Sequence, residues 1–94
     1  MVTHIVFFKF KNKEQAQGAR NILLSMEGKI SQLKGIEVGI DVMNTERSYD
    51  LALITKFDSL EDVLSYGVNE YHVNEVIKYL KPMIESTKTV DYCS

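Results

Sequence analysis

The sequence lacks most of the residue patterns by which catalytic and cofactor sites are recognised. It has 94 residues, with one cysteine, two histidines, one proline and no tryptophan. The lone Cys93, next to the last residue, can form neither an internal disulfide nor a multi-cysteine metal site, and thiol catalysis is disfavoured. No glycine-rich phosphate loop follows an expected strand, and no serine sits in a nucleophile elbow. Phosphoryl transfer and serine hydrolysis are therefore disfavoured as well.

Clustered charge and long apolar runs are also missing. Eleven basic and thirteen acidic residues give a net charge of -2, with no basic run that could follow a phosphate backbone. No apolar run approaches the roughly 20 residues that span a bilayer, and the opening MVTHIVFFKFK has neither a charged n-region nor a cleavage site. We therefore expect a cytoplasmic protein with no nucleic-acid or membrane partner. Its length predicts a single domain over residues 1–94 with one modest core.

Hydrophobic periodicity predicts four strands and a set of helices. Apolar residues at three- and four-residue steps predict one amphipathic helix over 14–34, with Asn12 as its N-cap and Gly35 as its C-terminal cap. Ser59 is expected to begin a second helix, and Pro82 to end or kink a third. The expected strands are VTHIVFFKF (2–10), IEVGIDVM (36–43), YDLALITKF (49–57) and TKTVDY (87–92). This order predicts an α+β fold, the ferredoxin-like split βαβ arrangement with a four-stranded antiparallel sheet.

The second face of this sheet is too apolar to be left to water. In such a fold the helices cover one face, while Ile5 and Phe7 of the first strand join Ala52 and Ile54 of the third on the other. A soluble monomer seldom exposes a contiguous apolar patch of this kind. An unusually hydrophobic monomer is one interpretation, but we favour a homodimer that packs sheet against sheet.

At this level of detail the chain resembles a known family, the stress-responsive dimeric α/β-barrel (Dabb) proteins. The resemblance covers nearly the whole chain and lies in the order and spacing of several segments. It implies two ferredoxin-like subunits that pair their sheets into one barrel, each with a small cavity between its sheet and its helices. The segments are HIVFFKFK at the start, LKGIEVGIDV, SYDLALITKFDSLEDVLSY, a histidine six residues after that tyrosine, and the closing VDY.

The family includes stress-induced proteins and plant polyketide cyclases, and fold alone does not decide between such functions. In the cyclase-like members a histidine before the last strand acts as base and a preceding tyrosine binds the substrate carbonyl. The resemblance places these roles on His72 and Tyr66. Where the family commonly has His-Pro-x-His, this chain has Asn69, Glu70, Tyr71 and His72.

The residues themselves allow His72 two interpretations. A regular helix would aim it at the edge of the apolar face that carries Val76, where a shielded imidazole can be tuned for acid/base work. A lone helix histidine can equally be a packed or surface residue. His4 shares the helix-facing side of the first strand and could face His72 across the cavity, or cap the strand end in solvent. Two histidines without a third ligand make a poor metal site, so we expect neither a metal nor a cofactor.

The resemblance, taken together with these residues, implies two alternative functions. The first is a cofactor-independent, polyketide-cyclase-like enzyme for a small hydrophobic carbonyl compound, in which His72 abstracts a proton and Tyr66 hydrogen-bonds the enolate oxygen. The second is a non-enzymatic, stress-associated or small-ligand-binding homodimer. Cofactor-free oxygenation of phenolic compounds is a further enzymatic alternative that no residue selects. For the first function, the expected substrate-binding lining is largely apolar and comprises His4, Val6, Phe8, Ile22, Met26, Val63 and Val76.

Overall fold

The computed structural model describes residues 1–94 as a four-stranded antiparallel sheet with helices on one face. The strand order is β2-β3-β1-β4. The strands are β1 (Val2–Phe10), β2 (Gly35–Ile40), β3 (Leu51–Phe57) and β4 (Ile84–Cys93). The helices are α1 (Ala16–Leu24), α2 (Leu60–Val68) and α3 (Lys78–Leu80). A π-helical stretch, His72–Ile77, directly precedes α3. Two 3-10 turns lie at Lys13–Gln15 and Lys81–Met83. The predicted ferredoxin-like α+β arrangement is confirmed.

The core lies between the helices and one face of the sheet. Period-two alternation along β1 turns Phe8 and Phe10 inward, where both are buried, while Phe7 points to the other face and is 39% exposed. Leu23 and Met26 pack onto the sheet from the α1 side, and Val76 from the π-helical stretch. The helix-facing side of the sheet therefore forms one wall of the core. Any cavity between the sheet and the helices must lie on this side.

The opposite face, which we call the open face, carries an apolar patch at its centre. Ile5 pairs with Ile54 of β3 on one side and with Val90 of β4 on the other. One row along, Phe7 pairs with Ala52. The four residues expected to form a patch are thus immediate neighbours, and Val90 extends it.

The predicted long helix is wrong in its second half. α1 ends at Leu24, because the chain then turns through i to i+3 hydrogen bonds and Gly28 adopts a left-handed φ of 79°. Gly35, expected as the helix cap, instead begins β2. Met26 and Ile30 are nevertheless buried, since compact turns bring them back onto the sheet. The spacing of the apolar residues therefore predicted correctly which residues are buried, but it did not predict the length of the helix.

Strand ends also differ from expectation. β2 stops at Ile40, and Val42 lies in the following loop, 91% exposed. The loop leaves the sheet because the carboxylate of Asp41 accepts a hydrogen bond from the Asn44 amide, and Asn44 has a positive φ of 59°. The expected N-caps are confirmed, with Asn12 in a capping box and the Ser59 hydroxyl accepting from Asp62. β4 is longer than predicted and spans Ile84–Cys93.

Candidate functional site

The helical run that carries His72 begins with a side-chain cap. The Asn69 side-chain oxygen accepts hydrogen bonds from the backbone amides of Tyr71 (2.9 Å) and His72 (3.3 Å). From residue 72 the run widens into the π-helical stretch, a geometry that is rare and often found at functional sites. Asn69 therefore supplies the side-chain cap at which this helical run begins.

A cap of this kind makes a direct prediction for stability. Asn69→Ala leaves the two amides without their acceptor and should lower the free energy of unfolding by about 1 kcal/mol, whereas Asn69→Asp should keep most of it. Urea unfolding at equal protein concentration measures the difference. Asn74→Ala, at an exposed position of the same helical run, is the matched control. Equal stability of Asn69→Ala and the control would show that the cap contributes nothing.

A cavity of about 350 Å³ lies between the helices and the sheet. Sixteen residues line it, and ten of them are hydrophobic. Its volume and its mostly apolar wall with a few polar groups are typical of a site for a small organic ligand. His4, Tyr66 and His72 all lie on its wall. Tyr71 does not enter it, because its hydroxyl reaches away to donate to Ser25 Oγ at 2.9 Å.

The lining expected from the sequence changes at two positions. Val6, Phe8, Val63 and Val76 are on the wall together with the three polar residues. Ile22 and Met26 are not. Ile22 packs half-buried beside the core, and Met26 is fully buried in it, since α1 turns Leu23 toward the cavity instead. The sequence analysis missed further wall residues, including Leu23, Leu53, Gly67, Ile77, Leu80, Lys81, Ile84, Thr87 and Thr89.

His72 is held so that one ring nitrogen is free. Its Nδ1 lies 3.4 Å from the carbonyl oxygen of Gly67. A carbonyl only accepts, so Nδ1 carries the proton and Nε2 keeps its lone pair. Burial lowers the pKa of His72 below the ordinary value of 6.5, the bond to Gly67 opposes this in part, and the charge of His4 lowers it further. His72 is therefore a neutral imidazole at neutral pH and can accept a proton.

Tyr66 packs near both histidines. Its ring centroid lies 4.2 Å from that of His72 and 6.1 Å from that of His4. The side chain is buried, and its hydroxyl donates to Met26 Sδ at 3.6 Å. Burial raises the pKa of the Tyr66 hydroxyl well above its ordinary range, so it stays protonated. Tyr66 thus presents its ring to the cavity while its hydroxyl is engaged in the core.

His4 has a carboxylate partner that the sequence analysis did not identify. His4 and Asp91 are directly paired across β1 and β4, and His4 Nδ1 is hydrogen-bonded to Asp91 Oδ1. The signal was present in the sequence, because antiparallel pairing of the first and last strands brings the two termini together. The exact register was needed to place Asp91, rather than Val90 or Tyr92, beside His4.

The rest of the structure offers weaker candidates for a functional site. No group of three or more histidine, cysteine, aspartate or glutamate side chains is arranged to hold a metal ion. None of the helices has the length and apolar character needed to cross a membrane. A second hollow, about 460 Å³, lies over Gly39 and Ala52 on the open face and contains no histidine. The part of the cavity wall formed by His4, Tyr66 and His72 is thus the strongest candidate for a catalytic site.

Comparison with known proteins gives both a family and a dimeric relative. The model of the family described as Stress responsive A/B Barrel Domain (Dabb) matches residues 2–94. A dimeric protein of unknown function with a ferredoxin-like fold, from Bacteroides fragilis, is 34% identical with a TM-score of 0.82. The similarity covers 97% of this chain and 93% of that one. No curated protein matches the chain.

Two further structures share the fold at lower identity. The hydroxynitrile lyase of Passiflora edulis is 20% identical with a TM-score of 0.80, over 97% of this chain and 90% of that one. A dimeric ferredoxin-like protein of unknown function from Thermobifida fusca is 20% identical with a TM-score of 0.84, over 99% and 90% of the two chains. These two likenesses show that the fold is shared.

Proposed function

Because the chain belongs to the stress responsive A/B barrel (Dabb) family, we propose that it is a homodimeric, cofactor-independent enzyme that moves a proton on a small apolar carbonyl compound. One observation carries this proposal, namely that an apolar cavity of ligand size has the neutral imidazole of His72 on its wall. The hydroxynitrile lyase with the same fold supports the idea that such a scaffold can house an enzyme.

The chemistry of the wall suits abstraction of a proton next to a carbonyl. Nε2 of His72 accepts the proton from the carbon, and the electron pair moves to form an enolate on the carbonyl oxygen. The ring of Tyr66, 4.2 Å away, holds the imidazole in place. Apolar walls contributed by Val6, Phe8 and Val76 bind the hydrocarbon part of the substrate and exclude water, which strengthens electrostatic interactions within the cavity.

The apolar patch on the open face supports the proposed homodimer. Its patch of Ile5, Phe7, Ala52, Ile54 and Val90 lies on the side of the sheet that the helices leave uncovered. Packing this face against a second copy would bury the patch on both subunits through one twofold contact. The cavity lies on the opposite face of the same sheet, so each subunit would keep its own site.

Deuterium exchange tests the proposed activity without knowledge of the natural substrate. Benzylacetone combines an apolar ring with a ketone, and its protons next to the carbonyl can be followed by proton NMR in deuterium oxide. We expect the protein to accelerate their exchange saturably, with no added metal or cofactor. Saturable binding without exchange would instead favour the ligand-binding homodimer, and neither binding nor exchange would contradict both.

The exchange rate should depend on pH in a defined direction. His72 acts only when neutral, so the rate should be high at neutral pH and fall as the pH drops through the lowered pKa of His72. The free energy of unfolding should also fall as the pH drops. His72 binds a proton near pH 6.5 in the unfolded chain but only at a lower pH in the folded chain. The other titratable groups on the same cavity wall are His4, Tyr66 and Lys81. Rates and urea unfolding between pH 5 and 8 (roughly the histidine range) test both signs.

A further inference from the structure

The cavity-facing residues of β1 and β4 form matched rows. His4, Val6 and Phe8 of β1 lie opposite Asp91, Thr89 and Thr87 of β4. His4, Thr87 and Thr89 line the cavity, and Asp91 is hydrogen-bonded to His4. The Asp91 side chain is 41% exposed and that of His4 is 17% exposed, so the carboxylate meets solvent while the imidazole is mostly shielded. This is the arrangement of a histidine oriented by a carboxylate.

The bond to Asp91 determines which nitrogen His4 offers to a ligand. A carboxylate accepts, so the Nδ1 proton of His4 points at Asp91 and Nε2 is the nitrogen left for the cavity. An aspartate hydrogen-bonded in this way fixes the tautomer and orientation of its histidine, as it does in the serine protease triad. Asp91 is the only carboxylate bonded to either histidine. His4 and His72 therefore differ in their partners, one a carboxylate and the other a backbone carbonyl.

Tyr66 is poorly placed to serve the carbonyl oxygen of a substrate. Its hydroxyl is turned into the core, where it donates to Met26 Sδ. Its ring lies near both histidines, with centroid distances of 6.1 Å to His4 and 4.2 Å to His72. His4 and His72 line the same cavity, so one ligand bound there can reach both imidazoles. The other polar residues of the wall are Lys81, Thr87 and Thr89.

We propose that His4, oriented by Asp91, is the second proton-transfer group of the cavity and protonates the carbonyl oxygen while His72 takes the carbon-bound proton. This rests on the proposed function. The step starts from a neutral His72 and from His4 protonated on both ring nitrogens, and it needs no oxidant or reductant. The C–H bond breaks and its proton goes to His72 Nε2. Its electron pair forms the C=C bond, the C=O π bond opens, and the carbonyl oxygen takes the Nε2 proton of His4, which leaves His4 neutral with its remaining proton on Nδ1. In the reverse direction the two histidines regain their starting states.

Asp91 is in this scheme a positioning residue, and the chain is well suited to testing it. It has only two histidines, so nitrogen NMR of imidazole-labelled protein shows two rings. At a pH where both are neutral, His4 should carry its proton on Nδ1 in the natural chain. Asp91→Asn should move that proton toward Nε2, because the amide can donate to Nδ1. Asp58→Asn, at an exposed carboxylate away from the cavity, is the matched control.

Exchange kinetics on benzylacetone complete the test. His4→Gln should lower the maximal rate about 100-fold and Asp91→Asn at least about 10-fold, while Asp58→Asn should leave it unchanged. Tyr66→Phe keeps the ring that packs on His72 and should cost less than His4→Gln. An unchanged His4 tautomer in Asp91→Asn would overturn the role of Asp91. A loss in Tyr66→Phe as large as that in His4→Gln would assign the donor to Tyr66 and overturn that of His4. If the natural chain shows no exchange, the proposed function and the chemical role of His4 both fall, while the tautomer measurement still decides whether Asp91 orients His4.

Discussion

Replacing His72 with glutamine is expected to reduce deuterium exchange into benzylacetone at least about 100-fold, the usual contribution of a positioned general base. Glutamine has similar length and can still donate to the Gly67 carbonyl, but it cannot accept a proton. The loss should appear in the maximal rate and leave the apparent affinity for the ketone nearly unchanged, because the apolar wall remains. Exchange rates followed by proton NMR over a range of ketone concentrations measure both quantities.

At low pH the free energy of unfolding of His72→Gln should be at least as high as that of the natural chain. His72 resists protonation when folded, so removing it removes the acid-dependent loss of stability described above. Lys78→Gln, at an exposed position of the same helical segment, is the control and should leave exchange unchanged. A His72→Gln protein that exchanges at the natural rate would exclude His72 as the base.

Replacing Phe7 with lysine is expected to convert the proposed homodimer into a monomer. Phe7 lies in the centre of the open face between Ala52 and Lys88, so a homodimer would bring two new lysines into one apolar contact. Juxtaposing like charges in an interface costs several kcal/mol, which raises the dissociation constant by at least about 100-fold. Light scattering after size-exclusion chromatography at several protein concentrations measures the change.

The monomeric fold should tolerate this substitution, because Phe7 is 39% exposed and contributes little to the core. Val42→Lys adds the same charge at a loop position that is 91% exposed, and it should leave the dimer intact. Circular dichroism should be alike for both variants. A natural chain that is monomeric, or a Phe7→Lys variant that dimerises with unchanged affinity, would contradict sheet-to-sheet pairing.

The fold could be predicted from the sequence because its signals are local. Alternation marked β1, and side-chain caps at Asn12 and Ser59 marked two helix starts. The length of α1 could not be predicted, since Met26 and Ile30 keep helical spacing while the chain between them follows turns. The same burial can be reached by two backbone conformations, and only long-range packing selects one of them.

The candidate site was predictable in part for a similar reason. The resemblance to a family brought His72 and Tyr66 forward, and the structure places both on one cavity wall with His4. The direction of the Tyr66 hydroxyl depends on where Met26 lies, which no spacing rule supplies. The pairing of Asp91 with His4 depends on the register of strands separated by most of the chain.

The most direct test of the account is a titration of the protein with benzylacetone, followed through the imidazole proton signals of its two histidines. If the cavity that joins His72, Tyr66 and His4 is the binding site, both histidine signals should shift saturably with one common dissociation constant. His72→Gln should leave the shift of the His4 signal intact. Histidine signals that remain unmoved while the ketone binds, or a ketone that does not bind at all, would contradict the claim that this cavity is the functional site.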